Sequence, residues 1–350
     1  MSSIRISFFG ATDIGKVQTN NEDTFIAQYI WDECHILLVA IDGMGGEEGG
    51  EIAADIAKES ILKYLTDFRD DTDLNLIKRA IADANNEIIR HKEFMPKYRR
   101  MGCVVTAGII NIDSETLSIA HVGDSRLYRF TNGELSKLTH DHSLVGYQEE
   151  QGILTEEQAM KHPRRSVLER CLGYENHFAE DSSFIEAGVY PLIDGEKFIF
   201  CSDGLCDMLM SKQIVECIHP EHSPEEECRD LINKANEAGG KDNITIIIAH
   251  VKKKNSKENK TYGDIEKHAK LESSQKKKQS KKRTKWLFLF CFIFVVCTVI
   301  SLLVLMGYPE QNKMPCINNN LPIDSSHQQN TTLPKDTLNI NTNDSFPISK

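Results

Sequence analysis

The chain has 350 residues, 40% of them hydrophobic and 27% charged, the proportions of a folded protein and not of a disordered one. Its net charge of −11 is unevenly spread: Val251–Lys285 carries fourteen Lys/Arg against four Asp/Glu, whereas residues 1–250 hold 24 basic and 44 acidic side chains. So acidic a body repels nucleic-acid phosphates, which excludes DNA or RNA as its main partner, and it suits hard divalent cations. Strand patterns cover Arg5–Ala11, Thr24–Tyr29, His35–Ile41, Val104–Ile110, Thr116–Val122, Arg126–Thr131, Lys197–Cys201 and Ile244–Val251. Helical patterns cover Gly49–Phe68, Asp73–Glu93, Thr155–Lys161, Ser211–Ile218 and Pro224–Ala238. The last has Ser223 to cap it, Pro224 in its first turn and Gly239-Gly240 beyond its end. Hairpins and helix pairs without regular βαβ alternation predict an α+β layered domain.

Lys252–Lys285 shows no apolar period and reads as a flexible, Lys-rich juxtamembrane linker (residues 252–285). Leu287–Gly307 contains no charged residue and is flanked by Trp286 and Tyr308. At about 1.5 Å per residue such a run crosses a bilayer core of roughly 30 Å, so residues 286–308 are expected to form a transmembrane helix. The basic cluster on its N-terminal side places the large domain in the cytoplasm and the polar tail, 309–350, on the opposite side. Met1–Gly10 is too short and polar for a secretory signal. The ten cysteines form no CxxC pair, which suggests buried free thiols in a reducing compartment.

Acidic residues recur beside turn-forming residues at strand ends: Asn20-Asn21-Glu22-Asp23, Asp42-Gly43-Met44-Gly45-Gly46, Gly123-Asp124-Ser125-Arg126, Ser202-Asp203-Gly204 and Asp242-Asn243. One Asp-Gly pair is ordinary turn chemistry. Repetition is not. Carboxylates gathered at strand ends repel one another unless cations sit between them, which points to a binuclear Mg²⁺ or Mn²⁺ site. Two such ions acidify a shared water, and the hydroxide can attack phosphorus in line.

These motifs follow one another in the order of the PP2C (PPM) family of metal-dependent Ser/Thr protein phosphatases, whose bacterial branch the chain resembles over about Phe8–Val251. Further matches are Met101-Gly102, Leu138–Ser143, His162-Pro163-Arg164-Arg165 and Cys201–Leu209. The resemblance implies a four-layer αββα sandwich, two antiparallel sheets flanked by helices, with two core metals at one edge. It implies that Asp42 bridges the metals, that the Gly43 carbonyl is a ligand, and that Asp203 and Asp242 complete a shell. Glu22 and Asp23 would orient metal-bound water, Asp124 with Asp203 would form a weaker third site, and Asn243 would position the loop bearing Asp242. The substrates implied are phosphorylated proteins, in opposition to Ser/Thr kinases at the membrane.

Departures from the family pattern matter as much. Gln18 stands where the family has an Arg that grips the substrate phosphate, and an amide cannot replace a bidentate guanidinium. Lys16 and Arg5 are the nearby cations that could substitute. Cys103-Val104 replaces the usual Thr-Thr, Met44 supplies no proton donor, and Cys206 replaces a Trp. The alternative reading is therefore a pseudophosphatase that binds phosphoproteins or partners without efficient turnover.

Overall fold

The computed structural model describes residues 4–253, apart from 46–48, 178, 180 and 182, together with residues 348–349. The expected linker and membrane helix, and nearly all of the tail, lie outside the described residues. Among the described residues no helix is long and apolar enough to cross a membrane.

One antiparallel sheet contains β1 (Ile4–Asp13), β6 (Arg126–Thr131), β7 (Glu134–Lys137), β10 (Lys197–Cys201) and β11 (Ile244–Lys253), in the order β1-β11-β10-β6-β7. The other contains β2 (Asp23–Tyr29), β3 (His35–Met44), β4 (Gly102–Asn111), β5 (Thr116–Val122) and β9 (Glu186–Pro191), in the order β2-β3-β4-β5-β9. Strand periodicity explains the layers. In β3, Leu37, Val39 and Ile41 join the core beneath helices α1 (Gly50–Asp67) and α2 (Asp73–Phe94), while Ile36, Leu38 and Ala40 point into the core between the sheets. In β11, Ile247, Ala249 and Val251 face the inter-sheet core, and Ile244, Ile246 and Ile248 face helix α7 (Pro224–Glu237). Both strands are apolar on both faces because both faces are covered, and each buried Ile or Leu contributes about 1.5–3 kcal/mol. The result is the expected four-layer αββα sandwich.

Helix α7 begins as its sequence dictates: the Glu226 backbone N–H donates to Ser223 Oγ at 3.3 Å, and the Ser223 N–H donates to the Glu226 carboxylate at 2.7 Å. The sequence patterns miss α3 (Leu144–Glu150), the short β8 (Val167–Leu168) and the edge strand β9. In β9 half-exposed and exposed positions alternate, and Gly188 and Pro191 weaken its strand signal. The helix expected at Thr155–Lys161 is the shorter α4 (Glu156–Met160), capped by Thr155, and that expected at Ser211–Ile218 is the shorter α6 (Ser211–Val215). Near the chain's end, β12 (Ile348–Ser349) pairs antiparallel with β8.

Candidate active site

Asp42 and Gly43 were expected in a turn beyond a strand, yet the β3 ladder continues through both to Met44. Asp42 lies opposite Asp23 on β2, Gly43 opposite Cys103 and Met44 opposite Gly102 on β4. Two buried aspartates, Asp23 at 8% and Asp42 at 6% exposure, thus face each other across neighbouring strands. Glycine is required beside them. A Cβ on Gly43 would come 2.2 Å from the Gly50 carbonyl oxygen and 2.6 Å from that of Glu22. A Cβ on Gly50 would meet the Glu22 carboxylate at 2.0 Å. The two glycines let Glu22 lie over the first turn of α1, where the helix dipole favours an anion.

The other sheet delivers its carboxylates to the same edge. Asp203, buried, opens the short helix α5 (Asp203–Cys206), so here a helix replaces the expected turn. Asp242 lies two residues before β11. The two loops are locked together: Ser202 N–H donates to the Thr245 carbonyl at 3.0 Å, and a Cβ on Gly204 would lie 2.0 Å from the Asn243 carbonyl oxygen. Asn243 ties the sheets to each other. Its Oδ1 accepts from the Glu22 N–H at 2.7 Å, and its Nδ2 donates to the carbonyls of Ile14 and Asn20, each at 2.9 Å. Its expected role of positioning the Asp242 loop is thereby extended to the Glu22 loop.

The electrostatics are those of crowded anions. Burial, then the neighbouring Asp242 and Glu51 carboxylates, raise Glu22 above the ordinary glutamate range. Gln18 is exposed and donates from Nε2 to Asp242 Oδ1 at 3.1 Å, so it does stand at this edge. Of the proposed substitutes, Lys16 is close: its N–H donates to the Gly240 carbonyl at 2.7 Å, two residues from Asp242. Arg5 is not. It sits eight residues up β1 from Asp13, about 26 Å along the strand, and pairs with Lys252 at the far end.

Asp124 is fully buried, and Arg165 Nη1 donates to its Oδ2 at 3.2 Å. Arg165 Nε also contacts Asp207 at 2.8 Å. Burial, reinforced by Asp203 and Asp124 against the pull of Arg165, pushes Asp207 up to about 7. Neither Arg165 nor Asp207 is a site residue on the sequence reading, although both fall inside matched motifs. Asp124 therefore belongs to a charge network with Arg165 and Asp207 that adjoins Asp203.

That network has a second arginine. Buried Arg126 donates from Nε to Asp141 Oδ1 at 3.0 Å, from Nη2 to Asp141 Oδ2 at 2.7 Å and from Nη2 to Glu149 at 2.8 Å. These contacts hold Asp141 well below the usual carboxylate range despite its burial.

The donor set at the edge is all oxygen, with the five carboxylates of Glu22, Asp23, Asp42, Asp203 and Asp242 and the adjacent Gly43 carbonyl, which fits Mn²⁺ or Mg²⁺. A different cluster, His121, His142 and Glu186, has ligand atoms within 4.8 Å of one another. Its polar atoms already have partners. His121 lies 2.8 Å from Thr106 Oγ1 and 3.0 Å from the Gly123 carbonyl, His142 Nδ1 accepts from the Gly123 N–H at 3.0 Å, and Glu186 accepts from the His140 N–H at 3.0 Å. This cluster fastens the Asp124 loop to the His140–His142 segment and includes none of the expected metal residues.

A family model described as protein phosphatase 2C matches residues 12–241. The Ser/Thr phosphatase stp of Listeria monocytogenes is 33% identical over 245 residues, covering 68% of this chain and 92% of the relative. PstP of Mycobacterium tuberculosis is 33% identical over 249 residues, covering 70% of this chain and 45% of the relative. The crystal structure of that organism's phosphatase PstP/Ppp superposes with a TM-score of 0.61 at 30% identity, covering 71% of this chain and 99% of that one. A structure of the PstP catalytic domain with two manganese ions superposes at 0.60 and 27% identity, covering 71% of this chain and 99% of that one.

Proposed function

The chain belongs to the protein phosphatase 2C family, and from that premise we infer that it is a metal-dependent Ser/Thr protein phosphatase whose active site is the carboxylate edge. The observation that carries the assignment is the meeting of Asp42, Asp203 and Asp242, with Glu22 and Asp23, at one edge of two sheets stapled by Asn243. When bound, Mn²⁺ or Mg²⁺ supplies an activated water and a counter-charge for the phosphoryl group. Asp42, the Gly43 carbonyl, Asp203 and Asp242 would hold the ions. Glu22 and Asp23 orient the ligands around them, and Asn243 fixes the loops that carry Glu22 and Asp242. Gln18 lies where a substrate phosphate would approach, offering an amide that Asp242 already engages.

Phosphate release from a phosphothreonine peptide tests this reading. Turnover with Mn²⁺ or Mg²⁺ that EDTA abolishes is expected, and Asp203→Asn is expected to lower it by about three orders of magnitude, some 4 kcal/mol. Manganese bound at the site without turnover would favour the pseudophosphatase, the reading that Gln18 supports.

We further propose that residues 286–308 anchor the chain in a membrane with the phosphatase on the cytoplasmic side, near the kinases it opposes. The charge-free Leu287–Gly307 run and the basic cluster before it support this. That topology and the pairing of β12 with β8 exclude each other, since residues 348–349 would lie across the bilayer. Labelling a cysteine introduced at position 349, with Cys316 replaced by Ser, in right-side-out membrane vesicles decides between them: modification from outside is expected, and protection would sink the proposed topology.

A further inference from the structure

A short basic segment flanks the acidic edge. From the last residue of α2 toward β4 run Phe94, Met95, Pro96, Lys97, Tyr98, Arg99 and Arg100, and from Arg90 to Arg100 five Lys/Arg stand against one Glu. Lys97, Arg99 and Arg100 are all exposed, as are Phe94 at 77% and Met95 at 42%.

The segment is shaped and not loose. Tyr98 N–H donates to the Met95 carbonyl and Met101 N–H to the Tyr98 carbonyl, both at 2.9 Å, and Tyr174 OH donates to the Arg100 carbonyl at 2.7 Å. Lys97 Nζ sits 4.3 Å above the Tyr98 ring. It also abuts the metal loop: a Cβ on Gly45 would meet Met101 Cα at 2.8 Å and the Arg100 carbonyl oxygen at 3.2 Å. Gly45 is three residues from Asp42, and Met44 pairs with Gly102 at the start of β4. The basic strip therefore adjoins the chain that follows Asp42.

We propose that Lys97, Arg99 and Arg100 form a docking strip for anionic side chains flanking the phosphoresidue, so that the enzyme selects acid-flanked or multiply phosphorylated segments. This rests on the phosphatase reading. The physical reason is contrast. Even with cations engaging the metal carboxylates, Glu22 and Glu51 repel an acidic peptide, and Gln18 returns no compensating charge. A peptide whose extra anions reach the strip escapes that penalty, and rim charges of this kind set encounter and selectivity more than chemistry. A peptide fits better than a membrane surface, because the strip continues directly into the strand beside the metal loop.

The test is steady-state kinetics on the full chain, using phosphothreonine peptides flanked by alanines, by aspartates or by a second phosphothreonine, with p-nitrophenyl phosphate alongside. Wild type is expected to favour both anionic peptides over the alanine peptide by about tenfold in kcat/KM at low salt, a preference that fades as salt rises. Arg99→Glu/Arg100→Glu is expected to erase it through KM with kcat held, and Arg99→Gln/Arg100→Gln to reduce it partway. Metal-dependent turnover of p-nitrophenyl phosphate with no discrimination among the peptides overturns the strip alone. No turnover of any substrate overturns the phosphatase reading beneath it. Unchanged selectivity in the reversed variant, with loss of its binding to anionic phosphatidylserine vesicles, would reassign the strip to a membrane surface.

Discussion

The carboxylate edge and the arginine network beside it solve opposite problems with the same residue type. At the edge, Asp23 and Asp42 face each other across β2 and β3, and the surroundings of Glu22 raise its pKa. In the network, Asp141 is equally buried, yet two nitrogens of Arg126 grip it and Lys137 Nζ lies 3.1 Å away, so its pKa falls. One region carries anions that gain from a cation supplied from solution. The other carries its own cations, fixed by the fold. Buried carboxylates alone therefore do not mark a site; whether a cation fixed by the fold already faces them does.

Breaking the network should cost stability where breaking the edge costs turnover. Arg126→Met leaves Asp141 buried beside Glu149 without its principal partner, and a loss of about 3–5 kcal/mol is expected in urea unfolding. Adding Asp141→Leu should recover much of it, since the uncompensated charge is then gone. A single variant as stable as wild type would place these contacts outside the stability of the fold.

Acid should sharpen the contrast next. Burial, and then His142, depress His121 from 6.5 to about 4, while Glu186 is lowered from 4.5 to about 2 by hydrogen bonds from His142 and His140 that outweigh its burial. In both cases the unfolded chain binds the proton more readily than the folded one, so stability rises with pH. The His121 contribution is complete above about 6.5 and disappears toward 4; that of Glu186 is complete above about 4.5 and disappears toward 2. The urea midpoint is expected to fall between pH 7 and 4, less steeply in His121→Gln. An equal slope in that variant would remove His121 as the cause.

The smallest effect expected is at the edge itself. Gln18→Arg restores a charged donor beside Asp242 and should raise kcat/KM for a phosphopeptide by roughly tenfold, from a charge-assisted hydrogen bond of about 1.5–3 kcal/mol. No gain would mean that Lys16 already serves the phosphate.

Motif order made the edge readable from sequence, because Asp42, Asp203, Asp242 and Glu22 each sit in short contiguous signatures. The four-layer arrangement was expected from the family resemblance, and β3 and β11 bear it out, with both faces apolar and both covered. What sequence could not give was distance. Arg5 looks close to the site in the chain but stands at the wrong end of β1, whereas Arg126 and Asp141, fifteen positions apart, share two parallel hydrogen bonds. Periodicity reports which way a side chain faces, not which remote residue it meets. The continuation of β3 through Asp42-Gly43 was hidden for a related reason: Asp-Gly favours a turn locally, and pairing with β2 and β4 overrides it.

The position of β11 has one more consequence. It is the last strand of the sandwich along the chain, yet it occupies an interior place between β1 and β10, and the loop just before it supplies both Asp242 and the Asn243 staple. A polypeptide halted before residue 242 would lack the middle of one sheet, one metal carboxylate and the fastening of Glu22 all at once. Premature termination or proteolysis there would yield an inert fragment, not a weakened enzyme, so the phosphatase becomes competent only once its final strand has been made.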